Sequence, residues 1–148
     1  MTTSNKALDP LLSQMNEVTT RVDKVLELAK SLGADGAEVA MSRQQGLSVG
    51  TRLGEVENVE FTNDGALGIT VYQQGRKGSA STADLSEKAL VQAVEAAVNI
   101  AKYTSVDKCS GLADKNLLAM QIQDLDLYHP KALTTAQAID IANACEQS

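Results

Sequence analysis

The 148 residues carry a formal net charge of −6, and aromatics make up only 3% with no Trp. That balance excludes the basic stripe and the base-stacking platform that nucleic acid requires. No apolar run reaches the roughly 18–20 residues of a membrane span, and Cys109 and Cys145 are too few for a disulfide framework.

A chain of this length fits one domain and can bury enough surface to fold without disulfide or metal. MTTSNKALDP lacks the apolar core of a secretory signal, so the reading is a reduced, cytoplasmic protein. Residues 1–8 are polar and are expected to form a disordered N-terminal tail. Asp9 is placed to cap a helix with Pro10 at its first position. Leu11, Met15, Val18, Val22, Val25, Ala29 and Leu32 then form one apolar stripe, and Gly33 is placed to end the helix.

From Ala37 the period changes from helical to alternating. Five strands are predicted, at 37–43, 47–53, 56–62, 67–73 and 76–82. Their links are Gln44-Gln45-Gly46, Gly54-Glu55, Asn63-Asp64-Gly65 and Gln74-Gly75. Each is short and contains the glycine that a tight hairpin favours, so neighbouring strands must run antiparallel. Val39, Met41, Leu47, Val49, Leu53, Val59, Phe61, Leu67, Ile69 and Val71 then share one apolar side. A second helix is predicted from about Asp84 or Ser86 to Thr104, carrying Leu90, Val94, Ala97 and Ala101. The fold class is therefore α+β: an antiparallel meander sheet of about five strands covered on one face by two long amphipathic helices.

Beyond Thr104 the pattern weakens. One or two helical turns are expected within 114–120, and DLDLYHP (124–130) reads as extended. Thr134 and Gln137 have capping-box spacing. Residues 134–148 read as the start of a helix leading to a C-terminal part that this sequence does not contain, and 9–133 as an N-terminal α+β domain.

No catalytic or metal-binding residue is predicted. His129 is the single histidine, and no H-E-x-x-H, C-x-x-C or G-x-S-x-G occurs. Glu55, Glu57 and Glu60 are solvated or interface carboxylates in this reading, not an acid/base pair. Gly75-Arg76-Lys77-Gly78 is basic but opens no helix, so it is no phosphate cradle and is expected to favour solubility or a partner contact. The lead is the polar side of the sheet. Gly50, Arg52, Asn58, Glu60, Gly68 and Tyr72 fall on it, and a glycine inside a strand asks for a close approach or a bulge. Those six residues are a candidate partner-docking face. An ordinary solvated sheet face is the alternative.

The segments TRLGEVENVEF (51–61), NDGALGITVY (63–72), RKGSAST (76–82), YTSVDKCSGLADKNLLA (from Tyr103) and DLDLYHP (124–130) resemble the N-terminal domain of the PmbA/TldE family, also called the modulator of DNA gyrase family. The resemblance runs from about Leu26 to the end of the chain. It implies a structural part of a subunit in a cytoplasmic TldD–TldE metalloprotease that processes small peptides and unfolded proteins. It also implies a TldD-like partner whose H-E-x-x-x-H motif holds zinc, and an extended peptide as substrate of the assembled complex. No residue here matches a family catalytic position. A stand-alone adaptor or inhibitor module is the competing expectation.

Overall fold

The computed structural model describes residues 5–123, 125–127, 129, 131 and 133–147. Its elements are helix α1 (Asn5–Ser31), strands β1 (Gly36–Arg52), β2 (Glu55–Gln73) and β3 (Arg76–Thr82), helix α2 (Glu87–Tyr103), a 3-10 turn at Lys115–Leu117, and helix α3 (Thr135–Glu146). The strands form one three-stranded sheet in the order β1-β2-β3.

The α+β class holds, but the strand count is corrected from five to three. Gln44-Gln45-Gly46 and Asn63-Asp64-Gly65 do not turn. They lie inside β1 and β2, where Gln45 Nε2 donates to Asn63 Oδ1 at 3.2 Å. The physical reason is in the backbone. The chain reverses where two consecutive residues take positive φ, at Leu53-Gly54 (53° and 79°) and Gln74-Gly75 (52° and 71°). That is the type I′ geometry, whose twist matches the flanking strands. Gly46 and Gly65 do not take it. From the second turn, β2 and β3 pair antiparallel, from Gln73↔Arg76 to Leu67↔Thr82.

The chain divides into two compact units, residues 1–42 with 65–122, and residues 43–64 with 123–148. The first unit holds all of the buried core found among the described residues. Leu67, Ile69 and Val71 of β2 meet Val25 and Ala29 of α1 and six residues of α2: Leu90, Ala93, Val94, Ala97, Val98 and Ala101. Three- and four-residue steps put those six on one stripe of α2. Burying a valine or leucine fully contributes about 1.5–3 kcal/mol relative to leaving it exposed, and Leu67, Val71 and Val94 are fully buried. Helix α2 thus packs on β3, and α1 packs on α2 and adds Val25 and Ala29 to the same core.

Local chemistry fixes the helix ends. Ser86 caps α2 by accepting from Ala89 N, and Ser86 N donates to Asp84 Oδ1 at 2.8 Å. That bond, with the other from Ser86, holds the Asp84 carboxyl below the usual carboxylate range. Gly33, at φ 92°, ends α1, with Ala34 N donating back to Ala29 O at 3.1 Å. At its other end α1 starts earlier than expected: Asp9 and Pro10 lie inside the helix, not at its cap. Residues 1–4 lie outside the described residues.

In the second unit, α3 carries the expected capping box, with Thr134 and Gln137 bonded reciprocally. The expected extended run 124–130 lies partly outside the described residues. Leu125–Leu127 are irregular, and Asp126 takes φ 49°. The apolar residues on the outer parts of β1 and β2 do not join a core as the alternation implied. Phe61 is 73% exposed and Leu53 89% exposed, and Val56 and Val59 are exposed too.

Candidate functional site

The six predicted face residues fall into two groups, one in each unit. Gly68 and Tyr72 belong to the first, and Gly50, Arg52, Asn58 and Glu60 to the second.

In the first unit, the β2–β3 register sets Gly68 opposite Ser81 and Thr70 opposite Ser79. Alternation turns these four away from the core side of Leu67, Ile69 and Val71. Thr70 Oγ1 and Ser79 Oγ share a hydrogen bond of 2.9 Å. Small side chains leave an open groove of about 410 Å³, lined by Glu38, Ala40, Gly68, Thr70, Ser79 and Ser81 among others. A Cβ built on Gly68 would meet nothing within 4 Å. Nothing packed on Gly68 therefore demands a glycine.

Tyr72 follows Gly68 and Thr70 on the same side of β2. Its hydroxyl donates to Glu38 Oε1 at 3.5 Å. Desolvation first, and then the charge and hydrogen bond of Glu38, push the phenol above its ordinary value. The Tyr72 backbone is pinned from the same side: Asp35 N donates to Tyr72 O at 2.8 Å, and Gln74 N to Asp35 Oδ2 at 2.6 Å.

In the second unit, Gly50 lies beside Asn58, whose Cβ would stand 3.8 Å from a Cβ on Gly50, an ordinary contact. Asn58 Nδ2 donates to Glu60 Oε1 at 3.1 Å. Arg52 pairs with Glu57 at 3.7 Å, but both are exposed, so the pair contributes little.

Sequence reasoning missed the use of Arg76. Instead of serving a solvent or partner contact, its guanidinium donates to the carbonyls of Lys102 (2.9 Å) and Thr104 (3.2 Å) at the end of α2. Thr104 Oγ1 in turn donates to Lys77 O at 2.9 Å. A cation at a helix C-terminus also suits the helix dipole. A second missed feature is a cleft of about 680 Å³ where α1 meets the start of α2, with Leu28, Leu85 and Val91 among its walls. Arg21 spans it, donating to Leu85 O at 2.7 Å and pairing with Glu17 at 2.8 Å. The available signal was Val91, an apolar residue off the Leu90, Val94, Ala97 and Ala101 line of α2.

Among the described residues, no three His, Cys, Asp or Glu side chains are placed to hold a metal ion. His129 Nε2 is bonded to Asp126 O at 2.6 Å. No described helix is long and apolar enough to cross a membrane.

The comparisons with known proteins follow this architecture. Residues 37–101 match the family model "PmbA/TldA metallopeptidase domain 1". The chain is 51% identical over 148 residues to Metalloprotease PmbA of Escherichia coli O157:H7, covering all of this chain and 33% of that protein. It is 54% identical over 138 residues to a Metalloprotease PmbA homolog of Haemophilus influenzae, covering 93% of this chain and 30% of the relative. It thus spans about a third of the length of the curated relatives it matches. Among solved structures, a proposed modulator of DNA gyrase from Bacteroides thetaiotaomicron superposes with a TM-score of 0.79 at 25% identity, covering 88% of this chain and 30% of that one. TldE from Thermococcus kodakarensis shares the fold at a TM-score of 0.54 and 19% identity, covering 60% of this chain and 20% of that one. The metal that the relatives' names imply finds no ligand set among the described residues. The chain belongs to the PmbA/TldD metallopeptidase family and carries its first domain.

Proposed function

We propose that this chain is the N-terminal, structural part of a PmbA/TldE-type subunit, which assembles in the cytoplasm with a TldD-like subunit into a peptide-degrading metalloprotease. The observation that carries the reading is 51% identity, along the whole chain, to a protein named Metalloprotease PmbA.

In this account zinc and the hydrolytic chemistry belong to the TldD-like partner, and no step is assigned to a side chain of this domain. Its contribution is wall and scaffold. A protease that accepted every chain would be toxic to its own cell. An enclosed site admits an extended peptide, which can satisfy its backbone by pairing as a strand. The open groove over Gly68 supports the wall role. Ala40, Ser79 and Ser81 are small, and the glycine has no internal cause, so another protein surface can approach the backbone closely.

The test is co-purification of the family-length protein with the H-E-x-x-x-H chain from the same cell. A stable complex weakened by Gly68→Val or Arg52→Glu supports the subunit reading. If the two chains do not associate, the adaptor reading replaces it.

A further inference from the structure

We propose that the Leu53–Gly54 turn is a carboxylate-binding site filled by Glu146, and that this contact is the clasp holding α3 on the β1–β2 hairpin. All of its parts lie within the second unit.

The turn is built for an anion. Leu53 and Gly54 both take left-handed φ, 53° and 79°. Successive residues of this kind bring their N–H groups into one concavity, which favours negative charge. Glu146 occupies it with both oxygens: Oε1 accepts from Leu53 N, and Oε2 from Gly54 N at 3.1 Å. A charge-assisted pair of this geometry exceeds an ordinary neutral hydrogen bond.

The rest of the interface offers little to replace it. No described residue of this unit joins the buried core. Ala138, Ile139, Ala142 and Asn143 of α3 are half-buried. Asn143 Oδ1, one turn before Glu146, is buried without a partner, and such a group costs free energy where it is desolvated. Apolar packing of α3 is therefore weak, and the carboxylate at the turn supplies its specific tie. Without that tie, hairpin tip and helix separate as a local opening, of the kind that hydrogen exchange reports.

The test is residue-resolved amide hydrogen exchange on the 148-residue chain and two variants, Glu146→Ala and Glu146→Gln. The clasp predicts exchange at Leu53 and Gly54 at least about tenfold faster in Glu146→Ala, with α3 amides such as Ile141 and Ala142 accelerated alongside. Glu146→Gln, which keeps the shape but presents one acceptor oxygen, is expected to accelerate the same amides by a smaller factor. Amides of Ile69, Val71 and Val94 are expected to keep wild-type rates in both variants. Wild-type exchange at Leu53, Gly54 and α3 in Glu146→Ala overturns the proposal. Wild-type exchange in Glu146→Gln overturns the carboxylate assignment. Acceleration that spreads to Ile69 and Val94 also overturns it, because Glu146 would then support the whole fold.

Discussion

Gly78 of β3 lies so close to Ala101 of α2 that a Cβ on the glycine would stand 2.5 Å from the Ala101 backbone nitrogen and collide with the Ala97 carbonyl oxygen. Both obstacles are backbone and cannot rotate away. Gly78→Ala must therefore push α2 off the sheet or bend β3. Overpacking of this kind costs about 1–3 kcal/mol, and a backbone clash belongs at or above the upper end. Urea unfolding checks it: the midpoint of Gly78→Ala falls well below wild type with a similar slope.

Gly68 provides the contrast. Its Cβ position is open, so Gly68→Ala is expected to change stability by no more than about 0.5 kcal/mol, as at other surface positions, with a slight gain from reduced chain entropy. On the subunit proposal the bulkier Gly68→Val weakens assembly while leaving the chain folded. Parallel urea melts and pull-downs separate the two effects. A Gly68→Val chain that unfolds would show that the position matters to the fold itself.

Tyr72 and Glu38 give a pH prediction. The phenol is raised in the folded state by desolvation and by Glu38, so folding favours its neutral form. That stabilisation is fully present below the unfolded tyrosine value of about 10 and is lost as pH rises through the folded value. Absorbance titration of phenolate formation in wild type and Tyr72→Phe is expected to assign the missing component to ionisation above the ordinary range. Glu38→Gln moves that component down, because the opposing charge is gone. An unchanged titration in Glu38→Gln would exclude the carboxylate as a cause.

Arg76 closes the C-terminus of α2 through the carbonyls of Lys102 and Thr104. Arg76→Ala is expected to destabilise by about 1–2 kcal/mol, the range for a hydrogen bond to a charged group at a helix end. Arg76→Lys recovers part of this, since a lysine keeps the charge but not the planar guanidinium whose Nη1 serves both carbonyls. Thermal melts of the three chains measure the order wild type, Lys, Ala.

Helix α2 was legible in the sequence in outline. Its line of Leu90, Val94, Ala97 and Ala101 and its end at Thr104 follow from spacing that acts within one helix turn, whereas the choice of Ser86 over Asp84 as the cap and the burial of Val98 came only with the structure. Gln74-Gly75 was legible for the same local reason. The two false turns show the limit. Asn63-Asp64-Gly65 has the composition of a turn, but composition permits positive φ without imposing it, and these residues lie inside β2, with Gln45 Nε2 of β1 donating to Asn63 Oδ1. Alternation likewise assigned Phe61 and Ile69 to one side of the sheet. It could not show that helices cover Ile69 while Phe61 stays exposed. Gly68 and Tyr72 do lie off the core side of β2, but alternation carries no information about the division of the six face residues between two units. The contact beneath Gly78 did have a sequence signal, since Ala97 and Ala101 put two small residues one helix turn apart.

The most direct test of the subunit account is a chelator-controlled peptide-cleavage assay on the family-length protein, the H-E-x-x-x-H chain, and the two mixed. The account predicts that the mixture cleaves unfolded peptides, that chelator abolishes the cleavage, and that the family-length protein without its partner is inactive. Chelator-sensitive cleavage by the family-length protein without that partner would contradict it, and would place the metal site in a region of that protein beyond this domain.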